Sequence, residues 1–186
     1  MYPVTHTTPR LALREITHDD VDAVHAVYGN EEATRHLSFE PRTREQVGSI
    51  IARSVTSAAA NPRDEYCLAV TARETEGLIG YARLALDPHQ QKAATIGFAL
   101  RPEAWGQGLG TETVHALLGL AFDQLGLHRV WAARAPLNTA SHKTLIRAGM
   151  TEEGRIREHV HVGGAWRDSL TYSILDHEWR PSEGSP

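Results

Sequence analysis

The sequence has a single cysteine, Cys67, in 186 residues. One thiol excludes an internal disulfide and any zinc site built on cysteine pairs. Aromatic residues make up only 6% of the chain. No apolar run has the length needed to cross a bilayer, and the first twenty residues, MYPVTHTTPRLALREITHDD, hold no stretch of signal-peptide type. Neither sign of charge dominates: 19 Lys and Arg stand against 23 Asp and Glu, for a net charge of −4. That balance is not the footprint of a nucleic-acid binder. Familiar metal and phosphate signatures are missing as well. There are 11 histidines but no H-E-x-x-H, so structural or surface histidines are expected and no metal. G-x-x-x-x-G-K-[ST] is absent, and a G-x-G-x-x-G counted from Gly106 would need its third glycine at Thr111. The exclusions leave a cytoplasmic single domain over residues 1–186, with neither membrane nor nucleic acid as partner.

Periodicity then orders the chain. RLALREI (10–16) alternates as an opening strand. Asp19 or Asp20 can cap a helix with Val21, Val24, Val27 and Tyr28 along one side. Thr43 and Gln46 have capping-box spacing ahead of a stripe of Val47, Ile50, Ile51 and Val55. YCLAVTA (66–72) and LIGYARLAL (78–86) read as a hairpin across RETEG, and ATIGFAL (94–100) as a further strand. A helix carrying Val114, Leu117, Leu118, Ala121 and Leu125 on one face follows, then a strand, HRVWAARA (128–135). NTASHKTLIRAG (138–149) is a short helix with Asn138 as N-cap and Gly149 just past its end. EGRIREHVHV and WRDSLTYSIL are strands around GGA, and the tail from about 180 reads as frayed. Strands in runs with helices between them imply an α+β domain, one mixed sheet with helices on its faces.

The most unusual segment is RPEAWGQGLGTETVHALLGLAF (101–122), where Gly106, Gly108 and Gly110 precede a helix. A helix N-terminus offers unpaired N–H groups and a positive dipole end, and glycine lets a ligand reach that backbone. Phosphate suits such a site. Taken alone, the same glycines are better accounted for by a flexible turn before an ordinary core helix, since short glycine motifs often match without function.

The wider context resembles the GCN5-related N-acetyltransferase superfamily, and within it the RimJ/RimL-like branch. The pieces that carry the resemblance are RLALREI, WGQGLGTE (105–112), LHRVWAA (127–133), NTASHKTLIRAGM (138–150) and EEGRIREHVHVGGAWRDSLTYSIL (152–175), in the family's order. The resemblance implies a mostly antiparallel sheet of six to seven strands, splayed at its centre and flanked by about four helices. It implies acetyl-CoA as cosubstrate, its pyrophosphate held by the amides of Gln107, Gly108, Leu109, Gly110 and Thr111. Trp105 stands where the family's loop usually has Gln or Arg. Strands 94–100 and 128–135 would part to admit the pantetheine arm. The edge of Phe98, Ala99 and Leu100 would pair with it, and an N–H of Phe98 or Ala99 would polarise the thioester carbonyl. Asn138 would contact the cofactor arm, and Ser141 would serve as general acid for the leaving thiolate. Lys143 and Arg147, on the same helix, could meet the 3′-phosphate, although exposed cations commonly face only water. Asn138 is also a good helix cap by its residue type alone.

The transfer needs a neutral amine, so some group must accept a proton. In the last two strands, alternation with a three-residue Gly163-Gly164-Ala165 turn puts Glu158 and Asp168 among apolar neighbours on one face. Burial there would raise a carboxylate into the range useful for a base. The competing reading is a salt bridge to Arg155, Arg157 or Arg167. The resemblance favours Glu158 as the base and leaves Asp168 near the acceptor. His36 and Phe39 fall in the segment that shapes the acceptor site in this family. Cys67, within a strand, reads as a small buried hydrophobe, so direct attack is expected rather than a covalent enzyme intermediate. The expected activity is N-acetylation of a primary amine: a protein N-terminus, an antibiotic, a polyamine or an amino acid. The alternatives are an acyl-CoA-binding regulatory or vestigial module, and a nucleotide-phosphate binder using the same cradle. The branch's habits also allow a homodimer, which no particular residue of this sequence supports.

Overall fold

The computed structural model describes residues 2–180, so the expected frayed tail lies almost wholly outside them. Among the described residues, eight strands form one sheet. They are β1 (Thr5–Thr7), β2 (Leu11–Glu15), β3 (Glu65–Ala72), β4 (Leu78–Leu86), β5 (Ala93–Leu100), β6 (Arg129–Arg134), β7 (Thr151–Val162) and β8 (Ala165–Leu175). The helices are α1 (Val21–Tyr28), α2 (Glu31–Thr34), α3 (Arg44–Ala58), α4 (Leu109–Gly119) and α5 (Thr139–Arg147). The strand order is β1-β2-β3-β4-β5-β6-β8-β7, and only β5 and β6 run parallel.

The sheet has one strand more than the upper expectation and the helices exceed theirs by one, for a local reason. β1 is only three residues long, and α2 is a single turn capped by Asn30, whose Oδ1 accepts the Ala33 N–H at 2.9 Å. Neither is long enough for a period to show. Asp20 stands at the N-cap of α1 but makes no side-chain cap bond there, its carboxylate accepting from Arg14 and from the Thr17 N–H instead; the other caps expected from the chain are used. Thr43 and Gln46 form the reciprocal box that opens α3. Gly149, with φ +87°, closes α5 through N–H bonds from Gly149 to Ile146 and from Met150 to Leu145.

The sheet buries both faces. Leu68 and Val70 of β3 join Leu11, Leu13, Ala82 and Leu84 against Val114, Leu117 and Leu118 of α4. Cys67 and Ala69 turn the other way and meet Val24, Val47 and Ile51 of α1 and α3. Burial on both sides explains why β3 is apolar throughout rather than alternating. Each fully buried Leu or Ile contributes about 1.5–3 kcal/mol of transfer free energy.

Two features of the sheet position the site. First, β5 and β6 pair only at Ala93–Arg129, Ala94–Val130 and Thr95–Trp131. Beyond that point β5 stays bonded to β4 as far as Leu100, and β6 stays bonded to β8 as far as Leu170. The two strands therefore part into a wedge, as the resemblance implied.

Second, the β7–β8 hairpin has a different register from the expected one. Gly163 and Gly164, at φ +61° and +74°, form the whole turn, and Ala165 already pairs with Val162. Positive φ at both central residues is the two-residue hairpin geometry that suits strand twist. His161 consequently faces Trp166, with ring centroids 5.1 Å apart, and Val160 faces Arg167. Further along, Arg157, Glu158 and His159 together oppose only Asp168, in a bulge where Glu158 has φ +49°. The expectation that alternation buries Glu158 and Asp168 side by side is thereby corrected. Glu158 is exposed, and Asp168 accepts its backbone N–H at 2.8 Å. A bulge resets alternation, so period alone could not carry the reading through it.

Candidate functional site

A cavity of about 370 Å³ occupies the wedge. Its walls are the parted ends of β5 and β6, the start of α5, the loop after α2 and the near side of the β7–β8 hairpin. Phe98, Ala99, Asn138, Ser141, His36 and Phe39, all singled out from the sequence, line it. Leu100, Lys143, Glu158, Asp168 and the glycine loop do not.

The glycine loop sits at the start of α4. Gly106 and Gly108 adopt φ +74° and +79°, a left-handed backbone that strains any residue with a Cβ. Gly108 is the N-cap and supplies no side chain. Among the described residues, no acceptor bonds the main-chain amides of Gln107 to Thr111. The result is a concave run of N–H groups at the positive end of a helix, the right donor set for a phosphate group. The loop is anchored on both sides. Trp105 Nε1–H donates to the Leu100 carbonyl at 2.9 Å, tying the loop to the end of β5. Arg10 donates to the Gln107 carbonyl at 2.8 Å and lies 3.5 Å from where a Gly108 Cβ would be. Arg10 thus brings a cation to the cradle, a role with no local sequence signal because its partners lie about a hundred residues away.

Asn138 caps α5 by accepting the Ser141 N–H at 3.0 Å. That leaves the Ser141 hydroxyl without a hydrogen-bond partner among the described residues, on the cavity wall. Lys143 and Arg147 are exposed on the same helix. Their neighbour Thr144 lies 3.4 Å from a Cβ built at Gly110, so α5 runs alongside the cradle. Behind Ser141, the Tyr172 hydroxyl donates to Glu152, accepts from Arg134 Nε at 3.0 Å and meets His142 Nδ1 at 2.8 Å. This network fastens α5 to β6 and β8, and sequence patterning had not suggested it.

Electrostatics separate the candidate residues. Burial pushes the His36 imidazole below its ordinary range, and the nearby cations Arg35 and Arg167 push it further. The imidazole is therefore neutral at pH 7. Asp168 is held low by the Glu158 amide and by Arg155, whose Nε lies 2.5 Å from Oδ2. The salt-bridge alternative for Asp168 is the arrangement present. Burial pushes the Cys67 thiol up. A thiol of that kind is a poor nucleophile, in keeping with its place in the core. Among the described residues, no group of three or more His, Cys, Asp or Glu side chains is placed to hold a metal ion. No described helix is long and apolar enough to cross a membrane.

Comparison with known proteins agrees with this geometry. Residues 10–151 match the family model described as an acetyltransferase (GNAT) domain. An uncharacterised N-acetyltransferase of Bacillus subtilis (strain 168), YoaA, is 31% identical over 176 residues, spanning 94% of this chain and 98% of that protein. RimJ of Mycobacterium smegmatis, solved in complex with a CoA disulfide, superposes with a TM-score of 0.80 at 23% identity, covering 95% of this chain and 90% of that one. The spermidine N-acetyltransferase of Vibrio cholerae, solved with CoA and spermine, gives a TM-score of 0.79 at 20% identity, over 92% of this chain and 98% of that one.

Proposed function

The chain belongs to the acetyltransferase (GNAT) family, and on that premise we propose that it transfers the acetyl group of acetyl-CoA to a primary amine by direct attack. The observation that carries this reading is the continuity of the site. The amides at the head of α4, unbonded among the described residues, adjoin the wedge between the parted strands, Gly110 lying beside Phe98 of its wall, and Ser141 and His36 line the same cavity.

Acetyl-CoA supplies an activated thioester and a thiolate leaving group. The residues of this chain would do the rest. The amides of Gln107 to Thr111, with Arg10 beside them, would bind the pyrophosphate. Lys143 would meet the 3′-phosphate. Beyond Thr95 the β5 edge that faces β6 has no strand partner among the described residues, so Phe98, Ala99 and Leu100 can pair with the pantetheine amides. An N–H of Phe98 or Ala99 would polarise the thioester carbonyl, and Asn138 would steady the arm. The amine nitrogen forms the new C–N bond as the C–S bond breaks, and Ser141 would hand its hydroxyl proton to the thiolate, the hydroxyl then being restored by the proton that the base takes from the amine.

The proton lost by the amine goes to His36 in this scheme. His36 lines the cavity and is neutral, whereas Glu158 is exposed on its bulge outside the lining. Glu158 is the alternative base, and substitution separates the two. Loss of turnover in His36→Gln with Glu158→Gln active supports His36, and the converse supports Glu158. The use of acetyl-CoA supports the cytoplasm as the proposed compartment of this activity.

Calorimetry with acetyl-CoA on the wild type and on Gly108→Trp tests the reading first. Micromolar binding that the substitution abolishes, followed by thiol release with an amine panel, is the expected result. Absence of wild-type binding would sink the assignment. Tight binding with no thiol from any amine would favour a regulatory acyl-CoA-binding module.

A further inference from the structure

We propose that the acceptor amine carries an oxyanion, either a carboxylate or a phosphate, and that Arg167 binds it. The proposal rests on the acetyltransferase reading and names the chemical class of its acceptor.

The cavity wall is one-sided in charge. Among the described residues that line it there is no Asp or Glu, while Arg83, Arg134 and Arg167 are all present. Two of these cations are satisfied by the protein. Arg83 is bonded by Glu65, and Arg134 donates to the Tyr172 hydroxyl and to the carbonyls of Ala135 and Pro136. Arg167 is different. Its Nε is buried with no hydrogen-bond partner, and no carboxylate pairs with its guanidinium among the described residues. The two charges acting on His36 are also cations, Arg35 and Arg167. Arg42 adds another, 4.8 Å above the Phe39 ring. The carboxylates nearest in sequence do not offset them. Asp168 is bound by Arg155, and Glu40 and Glu158 are exposed and outside the lining.

A guanidinium held partly out of water without a counter-ion is costly, and a planar oxyanion relieves it through paired N–H···O bonds. The same field repels a polycation, which would find no carboxylate to replace its hydration. An acceptor anchored at Arg167 through its oxyanion can extend its amine toward His36 and Ser141 within the same cavity. Polyamines are thereby disfavoured, and amino acids, ω-amino acids and phosphorylated amines favoured.

The test uses matched amines titrated calorimetrically into the protein saturated with CoA, so that binding is read without turnover. The carboxylate arm is glutamate and 5-aminovalerate, the phosphate arm phosphoethanolamine, the uncharged-tail arm pentylamine, and the cationic arm cadaverine and spermidine. At least one anionic arm is expected to bind about 10- to 100-fold tighter than pentylamine, the effect of a charge-assisted hydrogen-bonded pair. The better arm identifies the oxyanion. Arg167→Leu should erase that difference and leave pentylamine unchanged. Arg167→Lys should retain part of it, and Arg167→Glu should shift preference to cadaverine. Equal or tighter binding of spermidine by the wild type would overturn the proposal. So would an unchanged ratio in Arg167→Leu, or no binding by any anionic amine. Thermal melts of the three variants verify folding. Thiol release from acetyl-CoA across the same panel reports the transferase reading separately, since an Arg167-dependent anion site can persist in a protein without turnover.

Discussion

Arg10 and Glu112 are joined across 102 residues of sequence: the Arg10 N–H and Nε–H donate to the two oxygens of the Glu112 carboxylate at 2.8 and 2.7 Å. Thr8 Oγ1 adds a third bond at 2.6 Å. This clasp ties the start of β2 to the first turn of α4 and so steadies the amide cradle. Burial opposes the charged carboxylate, but the Thr8 and Arg10 bonds outweigh it and hold Glu112 below its ordinary value. A depressed carboxylate adds stability above its unfolded value, near 4.5, and that stability is lost as pH falls through the folded value. Glu112→Gln is expected to cost about 1–3 kcal/mol at pH 7 and less below pH about 4. Denaturant unfolding at the two pH values checks it, and acetyl-CoA affinity should fall several-fold in parallel.

Gly80 has no room for a side chain. It pairs with Leu100, and a Cβ there would lie 2.5 Å from the Ala99 carbonyl oxygen and 2.4 Å from Leu100 Cδ2. Gly80→Ala must push β5 away and is expected to cost about 1–3 kcal/mol or more, while moving the strand edge that serves the site. Gly48, inside α3 with nothing within 4 Å, is the control. Gly48→Ala should stabilise by about 0.5–1 kcal/mol. Melting curves of both variants decide, and an unshifted Gly80→Ala would refute the close contact.

Partly buried histidines make the fold sensitive to mild acid. His6, His36 and His115 all have imidazoles lowered chiefly by burial. The unfolded chain then binds more protons than the native one between the lowered values and about 6.5, so stability rises with pH across that window. Chemical denaturation at pH 5 and pH 7 should show the native state weaker at pH 5, and His115→Gln should shrink the difference.

Ser141→Ala separates chemistry from structure. The hydroxyl has no bond to lose among the described residues, so the melting temperature should hold within a degree or so. Turnover should fall by about 10²-fold or more if the hydroxyl supplies the leaving-group proton, with acetyl-CoA affinity little changed. Undiminished turnover would remove Ser141 from the mechanism.

Much of this was legible locally. Thr43 with Gln46, Asn138 and Gly149 are caps whose chemistry acts within a few residues, so their spacing predicts what the structure uses. The cradle was legible for the same reason: Gly106 and Gly108 are needed where backbone must turn left-handed before a helix. Glu158 and Asp168 were misjudged because a two-residue turn and a bulge shifted the alternation that placed them together.

By itself, then, the sequence determined the longer elements and the glycine turn ahead of α4, which depend on interactions between near neighbours that composition and period encode; the parting of β5 and β6 was implied only by the family resemblance. Tertiary structure alone decided that Arg10 would reach Gln107, that Tyr172 would gather His142, Arg134 and Glu152, and that Arg167 would face the cavity without a counter-ion among the described residues. Those relations join residues far apart in the chain. Their partners are chosen by how the sheet is registered and packed, which no local pattern records.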